Sequence, residues 1–300
     1  MNPVNLTACL IIMLGLLAQP VQARTIIRSL PYNCTLPGET YVLASDLALA
    51  SGNAIAVTTD NIVIDGNGKT LTYANTGAGH AIFINFSVTR LEIKNFTLIQ
   101  GAYDPAGGER VHAIFRNGNY RGIRIHDNVI RVTHSGSVGN AFGHGVHLTS
   151  NGSSTSGTEI FRNRITVSGA SAGYGISQEG DKSRIYGNEI VMSGLSSEPA
   201  GYSRAISVGG RGNQIYDNMI TLDNSSDTIQ GISLWEATET VVHNNSITSA
   251  ANHARAILID GNSDNNRIYA NRVDMISRHF AFRDASAGIR VRFGSDNNEI

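Results

Sequence analysis

Cysteine is scarce in this chain, with 2 among 300 residues, so a scaffold held by several disulfides is excluded. Proline is scarce as well, at 6 residues, and lysine supplies only 3 of the 23 basic side chains. Charge of one sign is not in excess: the net charge is -1, which argues against a nucleic-acid partner. Glycine is abundant, at 32 residues, and 41% of the chain is hydrophobic, a profile typical of a folded chain with many tight turns.

Long apolar runs are also missing, and no membrane span is predicted. The stretch 10–18 has nine apolar residues, whereas a spanning helix needs about 20. Val21 and Ala23 follow it as a small-x-small cleavage signal, so we interpret residues 1–23 as a secretory signal peptide. The mature chain is then expected to be secreted or periplasmic, with Cys34 as its single cysteine.

One phrase recurs along the chain: an aliphatic residue, two variable residues, Asn, one variable residue and another aliphatic residue. Its Asn residues, spaced by 35, 25, 30, 27 and 26 positions, are Asn128, Asn163, Asn188, Asn218, Asn245 and Asn271. An earlier copy carries Phe96 at the Asn position. Because Asn tolerates the left-handed conformation and its amide can bond the equivalent Asn one repeat away, we place it in a turn between two strands.

A second phrase lies between these copies: a small residue, an aliphatic residue, a variable residue and usually another aliphatic one. Its copies begin at Ala81, Ala113, Gly145, Gly175, Ala205, Gly231, Ala256 and Gly288. Period-two alternation in such short pieces indicates strands with one buried face. A repeat of 25 to 35 residues with three short strands and no helix is one coil of a parallel β-helix, and residues 61–300 would form roughly eight coils.

The two phrases resemble the repeats of the right-handed parallel β-helix superfamily, which includes pectate lyases, alginate lyases and epimerases, polygalacturonases and NosD-like proteins. The resemblance covers residues 40–300 and implies an all-β, single-stranded right-handed parallel β-helix solenoid. We expect residues 24–60 to form an N-terminal cap with the first strands, and residues 61–300 to form the repeats. The sequence stops inside a coil without a recognisable cap, so we expect either a longer natural protein or pairing of this end with another chain.

The resemblance implies a substrate groove along the strands of the second phrase, lined by their outward side chains. A lyase or epimerase acting on a uronate removes a proton beside a carboxylate, which needs a base, a proton donor and a cation. In this interpretation His147 is the base, Tyr174 is the donor, and Arg204 or Arg255 is the cation. His144, in the same groove, completes the predicted catalytic group.

Further outward positions predict where a polysaccharide partner would be bound. The substrate-binding candidates are His112, Glu179, Trp235, Arg255, Asp260 and Arg290. Arginine suits bidentate contact with carboxylates, and an exposed tryptophan can stack on a sugar ring. His80, His112 and His144 are spaced by 32 residues each, so consecutive coils would stack them into a column.

No metal site and no resident cofactor are predicted. His144 and His147 are three residues apart, a spacing that would point them to opposite faces of a regular strand. Glu179 and Asp181 leave a Ca²⁺ site open as an alternative. The segment 143–145 resembles the Gly-His-Gly piece of polygalacturonases, but the cluster of aspartates that those enzymes need does not accompany it.

The sequence thus predicts an exported β-helix protein that binds and processes a polysaccharide, with a uronate-polymer lyase or epimerase as the leading activity. The alternative, from a different class, is a non-catalytic surface β-helix that holds glycans or scaffolds other proteins. The two differ in geometry. An enzyme brings His147, Tyr174 and Arg204 around one substrate-sized cleft, whereas a scaffold shows a smooth polar face. The sequence leaves open which polysaccharide is bound and the oligomeric state.

Overall fold

Short β-strands joined by tight turns make up the protein. The computed structural model describes residues 23–85, 87–105, 109–134, 142–149, 155–169, 173–194, 203–223, 228–251, 253–276 and 287–300. The predicted signal peptide lies almost wholly outside these ranges. Within them every named element is a strand, and there is no helix long and apolar enough to cross a membrane.

The strands are numbered here in chain order. Those of the first half are β1 (Arg24–Ile27), β2 (Tyr32–Cys34), β3 (Thr40–Leu43), β4 (Leu47–Ala48), β5 (Ile55–Val57), β6 (Ile62–Asp65), β7 (Thr70–Tyr73), β8 (Ile82–Ile84), β9 (Val88–Thr89), β10 (Leu91–Lys94), β11 (Thr97–Gln100), β12 (Arg110–Asn117), β13 (Tyr120–Arg121), β14 (Arg124–His126), β15 (Val129–His134) and β16 (Phe142–Thr149). Those of the second half are β17 (Glu159–Phe161), β18 (Arg164–Gly169), β19 (Gly173–Glu179), β20 (Arg184–Tyr186), β21 (Glu189–Ser193), β22 (Ser203–Arg211), β23 (Gln214–Tyr216), β24 (Met219–Asp223), β25 (Thr228–Thr238), β26 (Val241–His243), β27 (Ser246–Ser249), β28 (His253–Asp260), β29 (Arg267–Tyr269), β30 (Arg272–Met275) and β31 (Ala287–Val291).

Three long sheets are formed by these strands, and their neighbouring strands pair in parallel. The first sheet has the order β1-β3-β6-β10-β14-β17-β20-β23-β26-β29, and the second has β4-β7-β11-β15-β18-β21-β24-β27-β30. The third has β2-β5-β8-β12-β16-β19-β22-β25-β28-β31, while β9 and β13 form a separate pair. The chain therefore visits each sheet once per coil. This confirms the predicted single-stranded parallel β-helix, in the right-handed sense that parallel crossovers adopt.

Inward aliphatic side chains stack in columns and form the core. In the first sheet, Ile160 pairs with Ile185 and Ile185 pairs with Ile215, and each is at most 1% exposed. Burying one such side chain stabilises the fold by about 1.5–3 kcal/mol, so the columns supply the main driving force. Cys34 lies in this core, and burial raises the pKa of its thiol to about 12, which leaves it unreactive.

The recurring Asn forms a ladder at the corner between the first and second sheets, as predicted. The Nδ2 atom of Asn188 donates to Oδ1 of Asn218 at 2.9 Å, and the same bond joins each neighbouring pair from Asn128 to Asn271. The left-handed conformation, however, belongs to the preceding residue and not to the Asn. Asp217, for example, has φ 54°. The expectation that the Asn itself adopts the left-handed conformation was wrong. The residue before it makes the turn, and the amide of the Asn bonds a backbone carbonyl and the Asn of the next coil.

Candidate functional site

A groove of about 280 Å³ crosses four consecutive strands of the third sheet, β16, β19, β22 and β25. Its lining residues are His147, Tyr174, Ser177, Gln178, Glu179, Arg204, Ser207, Val208, Gly209 and Trp235. Five of them are residues that the sequence singled out: His147, Tyr174, Glu179, Arg204 and Trp235. The three proposed catalytic groups, His147, Tyr174 and Arg204, therefore share one cleft.

The shape of the strands explains why His144 and His147 lie on the same face. Gly145 and Val146 are buried in succession, and a Cβ on Gly145 would meet the core side chain of Ile165 at 2.7 Å. Two consecutive inward residues shift the alternation, so His144 and His147 both point outward, with ring centroids 4.6 Å apart. The expectation that their spacing would place them on opposite faces was wrong, because it assumed a regular strand.

Tyr174, Arg204 and Gln230 are aligned across β19, β22 and β25 and form a bonded row. Arg204 Nη1 donates to the Tyr174 hydroxyl at 3.1 Å, and Arg204 Nε donates to Gln230 Oε1 at 3.0 Å. The guanidinium carbon also lies 5.2 Å from the centroid of the Tyr174 ring. Because the phenol oxygen accepts from Arg204, its own proton remains to be donated to a second partner.

The histidine column predicted from the spacing is present. The rings of His80 and His112 stack at 5.2 Å, and those of His112 and His144 at 4.5 Å. Each Nδ1 accepts the backbone N–H of the next coil, from His112, His144 and Tyr174, at 3.1, 3.1 and 2.9 Å. An Nδ1 that accepts carries no proton, so these rings are neutral with the proton on Nε2.

His147 stands beside this column, at the amino-terminal end of the groove. Its ring stacks on His112 at 5.0 Å and on Phe115 at 5.5 Å. Burial lowers the pKa of His147 to about 4, and the positive charge of Arg110 adds to this effect. Its Nδ1 is buried and has no hydrogen-bond partner among the described residues. At neutral pH the ring is therefore an uncharged proton acceptor.

The other five predicted residues lie outside the lining. His144 and His112 are buried in the histidine column, 4% and 0% exposed. Arg255, aligned with Gln230, is 2% exposed. Asp260 pairs with Trp235 in register, is 5% exposed and accepts the Gly261 N–H at 2.9 Å. Arg290 pairs with Leu258, beyond the groove in the carboxyl-terminal direction.

Five lining residues had not been chosen as candidates: Ser177, Gln178, Ser207, Val208 and Gly209. Gln178 occupies a place where the second phrase usually has an aliphatic residue, and this departure was the available signal. Gln230, which lies outside the lining, was not a candidate either, and its bond to Arg204 depends on two coils being stacked. Among the residues that the structure describes, no three His, Cys, Asp or Glu side chains converge as a metal site requires.

Comparisons with known proteins give likenesses of fold only. No family model and no curated protein matches the sequence. A DFA-IIIase from Arthrobacter chlorophenolicus A6, in complex with DFA-III, has 12% identity and a TM-score of 0.46, covering 86% of this chain and 76% of that one.

Two further structures show the same level of identity. The tailspike protein of E. coli bacteriophage HK620, in complex with a pentasaccharide, has 9% identity and a TM-score of 0.33, covering 91% of this chain and 59% of that one. The mannuronan C-5 epimerase AlgE4 A-module of Azotobacter vinelandii has 12% identity and a TM-score of 0.24, covering 92% and 84%. None of the three carries a residue role over to this chain. By its three parallel sheets, the chain is a right-handed parallel β-helix protein.

Proposed function

We propose that the groove binds a uronate-containing polysaccharide and removes the proton beside the uronate carboxylate, leading to β-elimination or epimerisation. The observation that carries the proposal is the meeting of a neutral imidazole, a phenol and a guanidinium in one cleft, from His147, Tyr174 and Arg204. We also propose that this happens outside the cytoplasm, as the apolar segment 10–18 predicts.

The three side chains have complementary roles. Arg204 pairs with the uronate carboxylate and stabilises the negative charge that develops as the neighbouring proton leaves. His147 takes that proton. In elimination the electron pair forms the ring double bond, the glycosidic C–O bond breaks, and Tyr174 gives its proton to the departing oxygen. In epimerisation Tyr174 returns a proton to the opposite face of the same carbon.

A second candidate function is glycan binding without chemistry, and one observation favours it. A pKa of about 4 makes His147 a weak base, well below the value near the working pH that suits proton abstraction. A groove with an exposed Trp235 and two serines, Ser177 and Ser207, would still hold a sugar chain. The two functions agree on the groove and differ only in the proton transfer.

The experiment follows removal of the proton beside the carboxylate, because this removal is common to elimination and epimerisation. The full chain is incubated in D₂O with alginate, pectate, hyaluronan and heparin-type polymers, with and without Ca²⁺. NMR then detects the deuterium that epimerisation places on the carbon beside the carboxylate, and ultraviolet absorbance detects the unsaturated product of elimination. His147→Phe copies Phe115 on the previous coil, so it removes the base and keeps the stacked ring.

His243→Phe is the matched control, because His243 is also a stacked histidine, between Tyr216 and Tyr269 on the first sheet. Deuterium incorporation or unsaturated product that is lost in His147→Phe and kept in His243→Phe supports the proposed catalysis. Binding of a polymer with neither signal supports the second candidate. If no polymer binds and neither signal appears, both functions are refuted.

A further inference from the structure

The charge of the groove limits which polymers it can hold. We propose that the stretch of substrate in contact with the groove carries a single uronate flanked by uncharged sugars, not a uniform run of uronates. This inference rests on the proposed function and narrows its substrate class. It follows from the number of cations in the lining, the length of the groove and the surface at the Trp235 end.

The lining contains one cation and one anion. Among the ten lining residues Arg204 carries the only permanent positive charge and Glu179 the only negative one, so their charges balance. His147 adds no charge at neutral pH. Arg204 is moreover held in place by Tyr174 and Gln230, so its position along the groove is set.

The length of the groove exceeds one sugar. Strands of a sheet lie about 4.8 Å apart, so the span from β16 to β25 is about 14 Å. A single pyranose ring is shorter than this span, so the groove contacts several units of a glycan chain. A uniform polyuronate would bring a carboxylate with each of them. All but one would lack a cation, and one would meet Glu179, which disfavours that polymer.

Other described cations lie outside this lining. Arg110 is exposed on β12, outside the lining, and Arg255 is 2% exposed.

The Trp235 end offers a surface for an uncharged sugar. The Trp235 side chain is 46% exposed. Its ring lies against Gly261, where a Cβ would come within 3.0 Å of the indole, so the absence of a side chain there makes room for the ring. An aromatic face of this kind stacks on the C–H face of a pyranose. Trp235 therefore marks a position for a neutral unit beside the one at Arg204.

The test compares three synthetic tetrasaccharides of equal length by calorimetry at neutral pH: all uronate, all neutral, and one internal uronate among neutral sugars. We expect the mixed probe to bind about tenfold more tightly than either uniform probe, the ratio that corresponds to one well-placed charged contact. In the Arg204→Gln variant the mixed probe should bind no more tightly than the neutral probe. Glu179→Gln should improve binding of the all-uronate probe by about threefold.

Glu189→Gln on the second sheet is the matched control and should change none of the three affinities. If the all-uronate probe binds most tightly to the unaltered protein, the inference is overturned while the proposed function stands. If the neutral probe binds as tightly as the mixed probe, the single-uronate assignment is also overturned. If none of the three binds, both the inference and the proposed function are refuted.

Discussion

The asparagine ladder should hold the solenoid together most strongly at its centre, and Asn188→Ala tests this. The Asn188 side chain makes five hydrogen bonds. Its Nδ2 donates to Ile160 O, Tyr186 O and Asn218 Oδ1, at 2.9, 3.2 and 2.9 Å. Its Oδ1 accepts from the backbone N–H and from Nδ2 of Asn163, both at 3.0 Å. Asn188 is 1% exposed, so water does not replace these partners.

The magnitude follows from these bonds. A typical intramolecular hydrogen bond contributes about 1 kcal/mol net, and a buried donor left without a partner costs about 1–3 kcal/mol. The alanine variant deletes five bonds and leaves the buried N–H of Asn163 without its acceptor. Some relaxation around the small cavity is expected. We therefore predict that the free energy of unfolding falls by about 4 kcal/mol.

Asn271→Ala is the matched control, since Asn271 occupies the same ladder at its last described position. It makes four such bonds but is only half-buried, so water can replace several partners. We expect a loss of about 1–2 kcal/mol. Urea unfolding followed by far-ultraviolet circular dichroism measures both. Equal losses in the two variants, or a loss below about 1.5 kcal/mol for Asn188→Ala, would refute the reasoning.

Two further predictions concern the groove face. The pKa values of His80 and His147 are about 4, so below pH ~6.5 the unfolded chain binds more protons and stability should fall progressively towards pH 4. In the His147→Phe variant the free energy of unfolding, measured by urea titration, should depend less on pH in this range. The same pH dependence in the variant and the unaltered protein would contradict this prediction. Gly261→Ala should destabilise more than Gly68→Ala, because both have positive φ but only Gly261 faces a ring at 3.0 Å. Equal losses would show that the Trp235 contact is unimportant.

Local pattern was enough to predict the repeating part of this protein. Alternation within each phrase specifies which side chains enter the core, and stacking in register repeats that choice from coil to coil. The Asn ladder and the histidine column followed for the same reason, since residues one coil apart become neighbours. The 32-residue spacing of His80, His112 and His144 is the length of one coil there.

Tertiary structure alone decided what the outward residues do. Trp235 and Asp260 were both predicted to point outward, yet Trp235 is 46% exposed and Asp260 is 5% exposed. The inward pair Gly145 and Val146 turned His144 towards His147, which a regular alternation would not do. Exposure, protonation and the lining of a cleft depend on atoms from several coils at once. A single coil therefore determines the direction of a side chain, while its neighbours determine whether that side chain meets solvent, a partner or a substrate.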